Sequence, residues 1–179
     1  MGSSAGRILG AEGLRWPPPR LVDPATIKLP STGYTESQLD PDRDYIVDLP
    51  ARDKRGGVTL IGGHNVVIVG GHITVPRSAQ PEDRFRRALY IKDATGTVHV
   101  EGVVLDSAPG AVWDGIDIAA PEATVQLENV RVDGVRGSLA GYHGDVVQPW
   151  GGVRALRVDR LSASSDYQGL TIPIDQERA

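Results

Sequence analysis

The sequence contains no cysteine, one methionine and only nine aromatic residues (three Trp, five Tyr and one Phe) in 179 residues. The absence of cysteine excludes a disulfide framework, a thiolate metal site and a cysteine nucleophile. Basic residues are also few: 19 Lys and Arg stand against 23 Asp and Glu, for a formal net charge of −4. Nucleic-acid-binding proteins usually present a basic face, so this balance predicts no nucleic-acid partner. No apolar run approaches the length of a membrane span, and we therefore expect no membrane partner.

Glycine and proline are abundant instead, with 22 and 13 residues. Residues 1–44 lack sustained periodicity and include the triple proline 17–19. Three consecutive prolines favour an extended polyproline conformation and do not fit a central β-ladder. We therefore expect a loop-rich, Pro-rich N-terminal arm over residues 1–44 that wraps over an end or side of a body formed by residues 45–179.

From Tyr45 onward, short runs rich in β-branched residues alternate with Gly, Asn and Asp. Examples are residues 45–49, 58–61 and 66–69. No ten-residue stretch carries the apolar spacing of an amphipathic helix, so the body is predicted to be all-β.

The predicted strands repeat. Residues 58–60, 89–91 and 116–118 follow one another at offsets of 31 and 27, and so do residues 67–69, 98–100 and 125–127, with 156–158 a further 31 residues on. A turn column follows the second strand and contains Gly71, Gly102, Asn129 and Arg160. A third alternation follows it in register, with Thr74, Leu105, Val132 and Ala163 on one side. Three short strands per repeat predict a right-handed parallel β-helix of four to five coils, with a β-sandwich as the alternative.

The repeat also predicts a polar patch. If Val147 takes the place of Ile116 one coil later, Asp145 lies beside Asp114 and Gln148 beside Asp117. Arg87 precedes Asp114 in the same column, and Gln168 follows Asp145. Nearby rings are those of Trp113, Tyr142, His143, Trp150 and Tyr167.

Carboxylates beside flat rings suit a carbohydrate, because sugar C–H faces stack on aromatic rings and hydroxyls bond to polar side chains. Asp114 and Asp145 are the candidate acid and base pair, with His143 as a further catalytic candidate. The candidate substrate-binding residues are Arg87, Asp117, Gln148, Trp113, Trp150, Tyr167 and Gln168. In the structural alternative, the two aspartates satisfy turn backbone groups and the two tryptophans plug loops.

No histidine pair has metal-ligand spacing, so no metal is assigned. A Ca²⁺ ion bound by Asp114, Asp117 and Asp145 remains an alternative, since oxygen ligands from neighbouring coils would converge there.

The stacked repeats, the turn column and the Asp-rich patch together resemble the pectate-lyase-like right-handed β-helix superfamily over residues 45–174. Residues 113–117 (WDGID) look like a strand entry of polygalacturonase-type glycosidases, although the paired aspartates and the Arg-x-Lys element of that group are missing. Residues 143–150 (HGDVVQPW) resemble a segment of uncharacterised bacterial β-helix proteins.

The resemblance implies a carbohydrate-active enzyme, either a polysaccharide lyase or a glycoside hydrolase, that acts on a neutral or acidic polysaccharide or oligosaccharide. The alternative is a non-catalytic β-helix that binds glycan or serves in assembly. Such a protein is expected to be secreted, although residues 1–4 show no leader. An exposed solenoid end predicts either end-to-end homo-oligomers or a natural protein cut short.

Overall fold

The computed structural model describes residues 13–77 and 82–172, and β-strands form almost all of its regular structure. One short 3-10 helix spans Asp83–Arg86, and the strand that begins at Arg87 follows it. The strands are β1 (Ala25–Lys28), β2 (Thr35–Leu39), β3 (Tyr45–Asp48), β4 (Lys54–Arg55), β5 (Val58–Gly62), β6 (Val66–Val69), β7 (His72–Val75), β8 (Arg87–Lys92), β9 (Thr97–Glu101), β10 (Val104–Ser107), β11 (Asp114–Glu128), β12 (Arg131–Val135), β13 (Val147–Gln148), β14 (Val153–Asp159) and β15 (Ser162–Ser165). Among the described residues, no helix has the length and apolarity that crossing a membrane requires.

The strands pair in parallel and form three ladders. The front ladder contains β2, β5, β8, the first half of β11, and β13. The back ladder contains β1, β3, β6, β9, the second half of β11, and β14. The third ladder contains β4, β7, β10, β12 and β15. The long strand β11 turns from the front ladder to the back ladder, and the ladders curl around one core, so the predicted all-β class is confirmed.

The core is built from columns of like residues. Leu60, Ile91 and Ile118 lie side by side on successive front strands, and Val98 and Val125 do so on the back ladder. All five are at most 2% exposed. Full burial of such a side chain contributes about 1.5–3 kcal/mol. Parallel strands therefore stack the inward positions of each repeat on those of the next.

The predicted register of the front strands is confirmed, since Val58 pairs with Leu89 and Leu89 with Ile116. The register predicted for the first two back strands was wrong by one residue, because Val66 and not Val67 pairs with Val98. The cause lies in the turns: residues 62–65 connect the paired segments in one repeat and residues 93–97 in the next. Asp93 lies in this longer turn with a positive φ of 52°.

The same shift corrects the turn column, whose first member is Gly70 and not Gly71. Gly70, Gly102, Asn129 and Arg160 have φ values of 69°, 63°, 52° and 53°. Their shared left-handed conformation explains why the column favours Gly and Asn. By the same shift, the partner of Leu105 on the third ladder is Ile73, where Thr74 was expected.

The N-terminal region contains two strands that its sequence did not predict. β1 pairs with β3 and β2 with β5, so part of the expected loop-rich arm belongs to the ladders. The preceding residues lie along the back ladder. There the backbone N–H of Trp16 donates to Glu128 Oε1 at 2.8 Å, and the Arg160 guanidinium donates to the Gly13 carbonyl at 3.0 Å. The domain boundary after residue 44 stays a prediction.

Candidate functional site

A backbone irregularity at the start of β11 determines which side chains reach the outer face of the front ladder. The N–H groups of Gly115 and Ile116 both donate to the same neighbouring segment, to the carbonyls of Asp145 (2.8 Å) and Val146 (3.0 Å). In a regular strand, successive N–H groups point to opposite sides. The two residues therefore form a local bulge, and a Cβ on Gly115 would lie 2.8 Å from the core residue Val132.

This bulge brings Asp114 and Asp117 to one face. Residues three apart in a regular strand point to opposite faces, but here Gly115 and Ile116 both take inward positions. The next segment repeats the feature, since the N–H groups of Val146 and Val147 both donate to the Gly169 carbonyl, at 2.9 and 3.2 Å. The outer face of the front ladder thereby acquires a row of polar side chains.

The predicted register of this row is confirmed. Asp114 pairs with Arg87 on one side, and Asp117 pairs with Gln148 on the other. An isolated bridge joins Val147 to Leu170, which continues the pattern into the following segment. Asp114, Asp117 and Asp145 thus come together as one group, which we call the carboxyl cluster.

Each carboxyl oxygen of Asp114 accepts one hydrogen bond. Its Oδ1 accepts the backbone N–H of Asp145 at 2.9 Å, and its Oδ2 accepts the hydroxyl of Tyr142. Donors to both oxygens stabilise a carboxylate over a carboxylic acid. Asp114 therefore fixes the neighbouring segment and the Tyr142 ring while carrying the charge of the cluster.

Asp117 has a different environment. The Arg87 Nε contacts its Oδ2 as an ion pair. The contact lacks hydrogen-bond alignment, so neither carboxyl oxygen of Asp117 has a hydrogen-bond donor among the described residues. Asp117 is 1% exposed. Its carboxyl group is buried with fewer polar partners than that of Asp114.

Asp145 keeps one oxygen available. Its Oδ1 accepts the hydroxyl of Thr171, whereas its buried Oδ2 has no hydrogen-bond partner in the described part of the chain. Burial raises the pKa of Asp145, and the Thr171 hydrogen bond and the His143 charge oppose that rise.

The cluster has three carboxyl groups beside one guanidinium. Burial raises the pKa of Asp114 to about 6, against the hydrogen bonds from Tyr142 and Asp145. Burial, with the added charge of Asp114, raises the pKa of Asp117 to about 8 despite Arg87. Protons leave such neighbouring carboxyl groups in successive steps. Of these two carboxyl groups, Asp117 has the higher pKa and the fewer hydrogen-bond donors, so it keeps its proton to higher pH than Asp114 does.

Aromatic rings border the cluster. Tyr90 and Trp150 stack with centroids 6.2 Å apart, and the Arg87 guanidinium lies 4.9 Å from the Tyr90 ring. Trp150 is 49% exposed and Gln148 is half-buried, so both are accessible beside the cluster. Trp113, by contrast, is completely buried and donates its indole N–H to the Gly134 carbonyl at 3.0 Å. The expected substrate-binding role of Trp113 is wrong, because its ring belongs to the core.

The remaining candidate residues lie at the rim. His143 is exposed and lies against Tyr167, with ring centroids 5.5 Å apart. Gln168 is half-buried in the segment whose Gly169 carbonyl receives the Val146 and Val147 N–H groups. His143 acts on the cluster through its charge near Asp145 and makes no side-chain hydrogen bond to the carboxyl groups.

The cluster is covered, although the sequence predicted an accessible patch. Its three aspartates are 3% exposed or less, because Tyr142 bonds to Asp114 and Arg86 lies 4.9 Å from the Tyr142 ring. The sequence placed Tyr142 among the rings near the patch without giving it a role, and Arg86 was not among the candidate site residues. Both lie in connecting segments, whose path the repeat does not determine.

A cation is a further candidate occupant of the cluster. Within the described residues, no three His, Asp or Glu side chains converge as metal ligands. The guanidinium of Arg87 supplies positive charge at Asp117, where the Ca²⁺ alternative needed a carboxylate ligand. The described residues give no support to the calcium alternative.

Comparison with protein-family models, curated proteins and solved structures gives no match to this chain. The chemistry of the carboxyl cluster is therefore the basis for a functional proposal.

Proposed function

We propose that the protein is a glycoside hydrolase, built as a right-handed parallel β-helix similar to the pectate-lyase-like superfamily, that acts on a polysaccharide. The three parallel ladders, with front-strand offsets of 31 and 27 residues, support the β-helix. The observation that carries the enzymatic proposal is a pair of carboxyl groups on one outer face with different hydrogen-bond partners: Asp117 has none among the described residues, and Asp145 has one, to Thr171. Glycoside hydrolysis requires such a pair.

The hydrogen bonds suggest a role for each carboxyl group. Asp117, with a raised pKa and no aligned donor, would protonate the glycosidic oxygen as the bond from the anomeric carbon to that oxygen breaks. Asp145, through its free Oδ2, would take a proton from the water whose oxygen forms the new bond to the anomeric carbon. Asp114 is a positioning residue, since both of its oxygens are already bonded.

Hydrolysis is favoured over lyase chemistry by the placement of Arg87. A lyase must neutralise the carboxylate of a uronate while a base removes the neighbouring proton. Arg87, the cation of this cluster, lies against Asp117 with 20% of its side chain exposed, which limits its access to the carboxylate of a bound uronate. Release of unsaturated sugars is nevertheless measured separately in the experiment below.

The covered state of the carboxyl groups supports a second candidate, a non-catalytic glycan-binding module. Tyr90, Gln148 and Trp150 form a ring-and-amide platform whose outer part is exposed, while the cluster beneath Tyr142 and Arg86 is not. In this case the cluster would be structural and the platform would bind sugar by stacking and hydrogen bonds. Catalysis requires substrate to displace the Tyr142 side chain, whereas binding to the platform does not.

The experiment incubates the protein with a panel of neutral and acidic polysaccharides and measures new reducing ends together with the ultraviolet absorbance of unsaturated products. We expect new reducing ends without unsaturated products. The rate at which they form should fall at least a hundredfold in Asp117→Asn and stay unchanged in Asp48→Asn, the control at an exposed aspartate on the back ladder. Unsaturated products would overturn hydrolysis in favour of a lyase. Binding that Trp150→Ala abolishes, with no product from any polysaccharide, would establish the binding module instead.

Two further expectations depend on this proposal. A polysaccharide substrate places the protein outside the cell, as a secreted protein. Association through the ends of the β-helix remains a prediction, which mass measurement in solution checks: a strictly monomeric protein would contradict it.

A further inference from the structure

A hollow lies on the outer face of the front ladder, two strands away from the carboxyl cluster. Its volume is about 250 Å³, and its walls include Gly33, Tyr34, Arg55, Gly56, Pro76 and Phe85. Val58 pairs with Leu89 and Leu89 with Ile116, so Gly56 occupies the position that Arg87 and Asp114 occupy on the next two strands. Where those strands carry charged side chains, the two residues just before β5, Gly56 and Gly57, carry none.

The glycine floor is fixed by the packing around it. Gly56 has a φ of +112°, and a Cβ there would lie 2.5 Å from the Gly33 backbone. A Cβ on Gly57 would lie 1.9 Å from the Arg87 carbonyl oxygen. A larger residue at either position would clash with neighbouring backbone, so the packing beside the hollow requires glycine there.

The wall of the hollow is aromatic. The rings of Tyr34 and Phe85 meet edge to face, with centroids 5.5 Å apart. The Tyr34 hydroxyl donates to Glu36 Oε2 at 3.0 Å and hydrogen-bonds with Thr59 Oγ1 at 2.9 Å, and these contacts hold the ring against the ladder. A flat or ring-shaped ligand is the shape that such a wall favours.

The rim of the hollow is cationic. The Arg84 guanidinium lies 4.8 Å from the Phe85 ring and 5.9 Å from the Tyr34 ring, the two rings of the wall, and Arg55 is one of the residues that line the hollow. Neither arginine forms an ion pair with a carboxylate among the side chains that the structure describes. A guanidinium stacked by its face on aromatic rings retains its edge N–H groups for a carboxylate.

From the glycine floor, the aromatic wall and the two arginines, we propose that this hollow is a binding site for a small cyclic carboxylate of about one ring in size. Its ring would lie against Tyr34 and Phe85, and its carboxylate would receive hydrogen bonds from Arg84 and Arg55. A sugar acid and an aromatic acid share this chemistry. The site needs no contribution from the carboxyl cluster, so it stands independently of the proposed hydrolase activity.

The experiment uses the full chain and four probes: glucuronate and benzoate, with methyl glucoside and benzyl alcohol as their neutral counterparts. Binding is measured by ligand-observed NMR and isothermal titration calorimetry. We expect one carboxylate to bind at least tenfold more tightly than its neutral counterpart. Tighter binding of glucuronate would identify the ligand as a sugar acid, and tighter binding of benzoate would identify it as an aromatic acid. Arg84→Gln should weaken that binding at least about tenfold, since charge-assisted hydrogen bonds are lost.

Arg52→Gln, at an exposed arginine outside the hollow, is the matched control and should bind as the unchanged protein does. Asp117→Asn should also leave binding intact, which separates a failure of this site from a failure of the hydrolase proposal. Circular dichroism checks that each variant is folded. Absence of binding by both carboxylates, equal binding of a neutral counterpart, or full binding by folded Arg84→Gln would each overturn the proposal.

Discussion

The backbone N–H of Asp145 donates a hydrogen bond of 2.9 Å to Oδ1 of Asp114, which lies 31 residues earlier in the chain. The carboxylate of one segment thus determines the position of the next segment's candidate base. Tyr142 donates to the other oxygen of Asp114, so the same carboxylate also holds the cover of the site. The carboxylate of Asp114 therefore affects three properties of the site: the position of Asp145, the cover formed by Tyr142 and the pKa of Asp117.

Asp114→Asn should change the pH dependence of hydrolysis. The negative charge of Asp114 raises the pKa of Asp117, so its removal should lower that pKa. The acid would then lose its proton at lower pH, and the alkaline limb of the pH–rate profile should move to more acidic values. Rates on a soluble polysaccharide at a series of pH values measure the shift. Asp48→Asn is the control, and an alkaline limb in the same place for Asp114→Asn would show that Asp117 is not the acid.

The carboxyl cluster should also make stability fall as pH rises. An aspartate in the unfolded chain has a pKa near 3.9, whereas those of Asp114 and Asp117 in the folded protein are about 6 and about 8. The folded state therefore binds more protons between these values, so the stabilisation is complete below about pH 4 and is lost as pH rises through 6 and 8. Denaturant unfolding from pH 5 to 9 should show a decline exceeding about 1 kcal/mol that is smaller in Asp117→Asn. A parallel decline in that variant would contradict the assignment.

The repeat in the sequence was enough to predict the front ladder and the juxtaposition of Arg87, Asp114 and Asp145. These depend on strand pairing, and pairing follows apolar alternation. The one-residue shift of the back ladder was not predictable, because turn lengths of four and five residues satisfy the same alternation. Nor did alternation predict that Asp114 and Asp117 share a face, since only the bulge at Gly115 makes positions three apart equivalent.

The sequence also did not predict which side chains are buried. Trp113 and Trp150 are both tryptophans beside the polar row, yet one is completely buried and the other is 49% exposed. The difference arises from the connecting segments, which have no repeat. Lys54 shows the same limit: it pairs with Ile73 at a core-facing position on the third ladder, where the pattern favours an apolar residue.

Lys54→Met should stabilise the protein at neutral pH. Lys54 is 0% exposed, its ammonium has the Gly33 carbonyl as its one acceptor within residues 13–77 and 82–172, and burial lowers its pKa. Because the folded state disfavours the charged amine, stability should rise as pH increases from the lowered pKa toward the ordinary value of about 10.4. Replacement by an apolar residue of similar length should add about 1 kcal/mol at pH 7 and reduce that alkaline rise.

Thermal and denaturant unfolding at pH 7 and pH 10 measure both effects for Lys54→Met. Lys28→Met, at an exposed lysine on β1, is the control and should change stability little. Destabilisation of Lys54→Met at both pH values would show that the bond to Gly33 outweighs the burial of the charge.

Gly115→Ala provides the direct check of the bulge. An added Cβ would lie 2.5 Å from the Val146 carbonyl oxygen and 2.8 Å from Val132 Cγ1, and neither the backbone nor the packed core can move without loss of other contacts. We expect destabilisation of about 2 kcal/mol or more, measured by denaturant unfolding. Gly169→Ala is the matched control, because a Cβ there meets no atom within 4 Å. Since the bulge places Asp114 and Asp117 on one face, Gly115→Ala should also reduce hydrolysis by the remaining folded protein. Unchanged stability and activity would mean that Gly115 does not face the core and that the two carboxyl groups are brought together by other means.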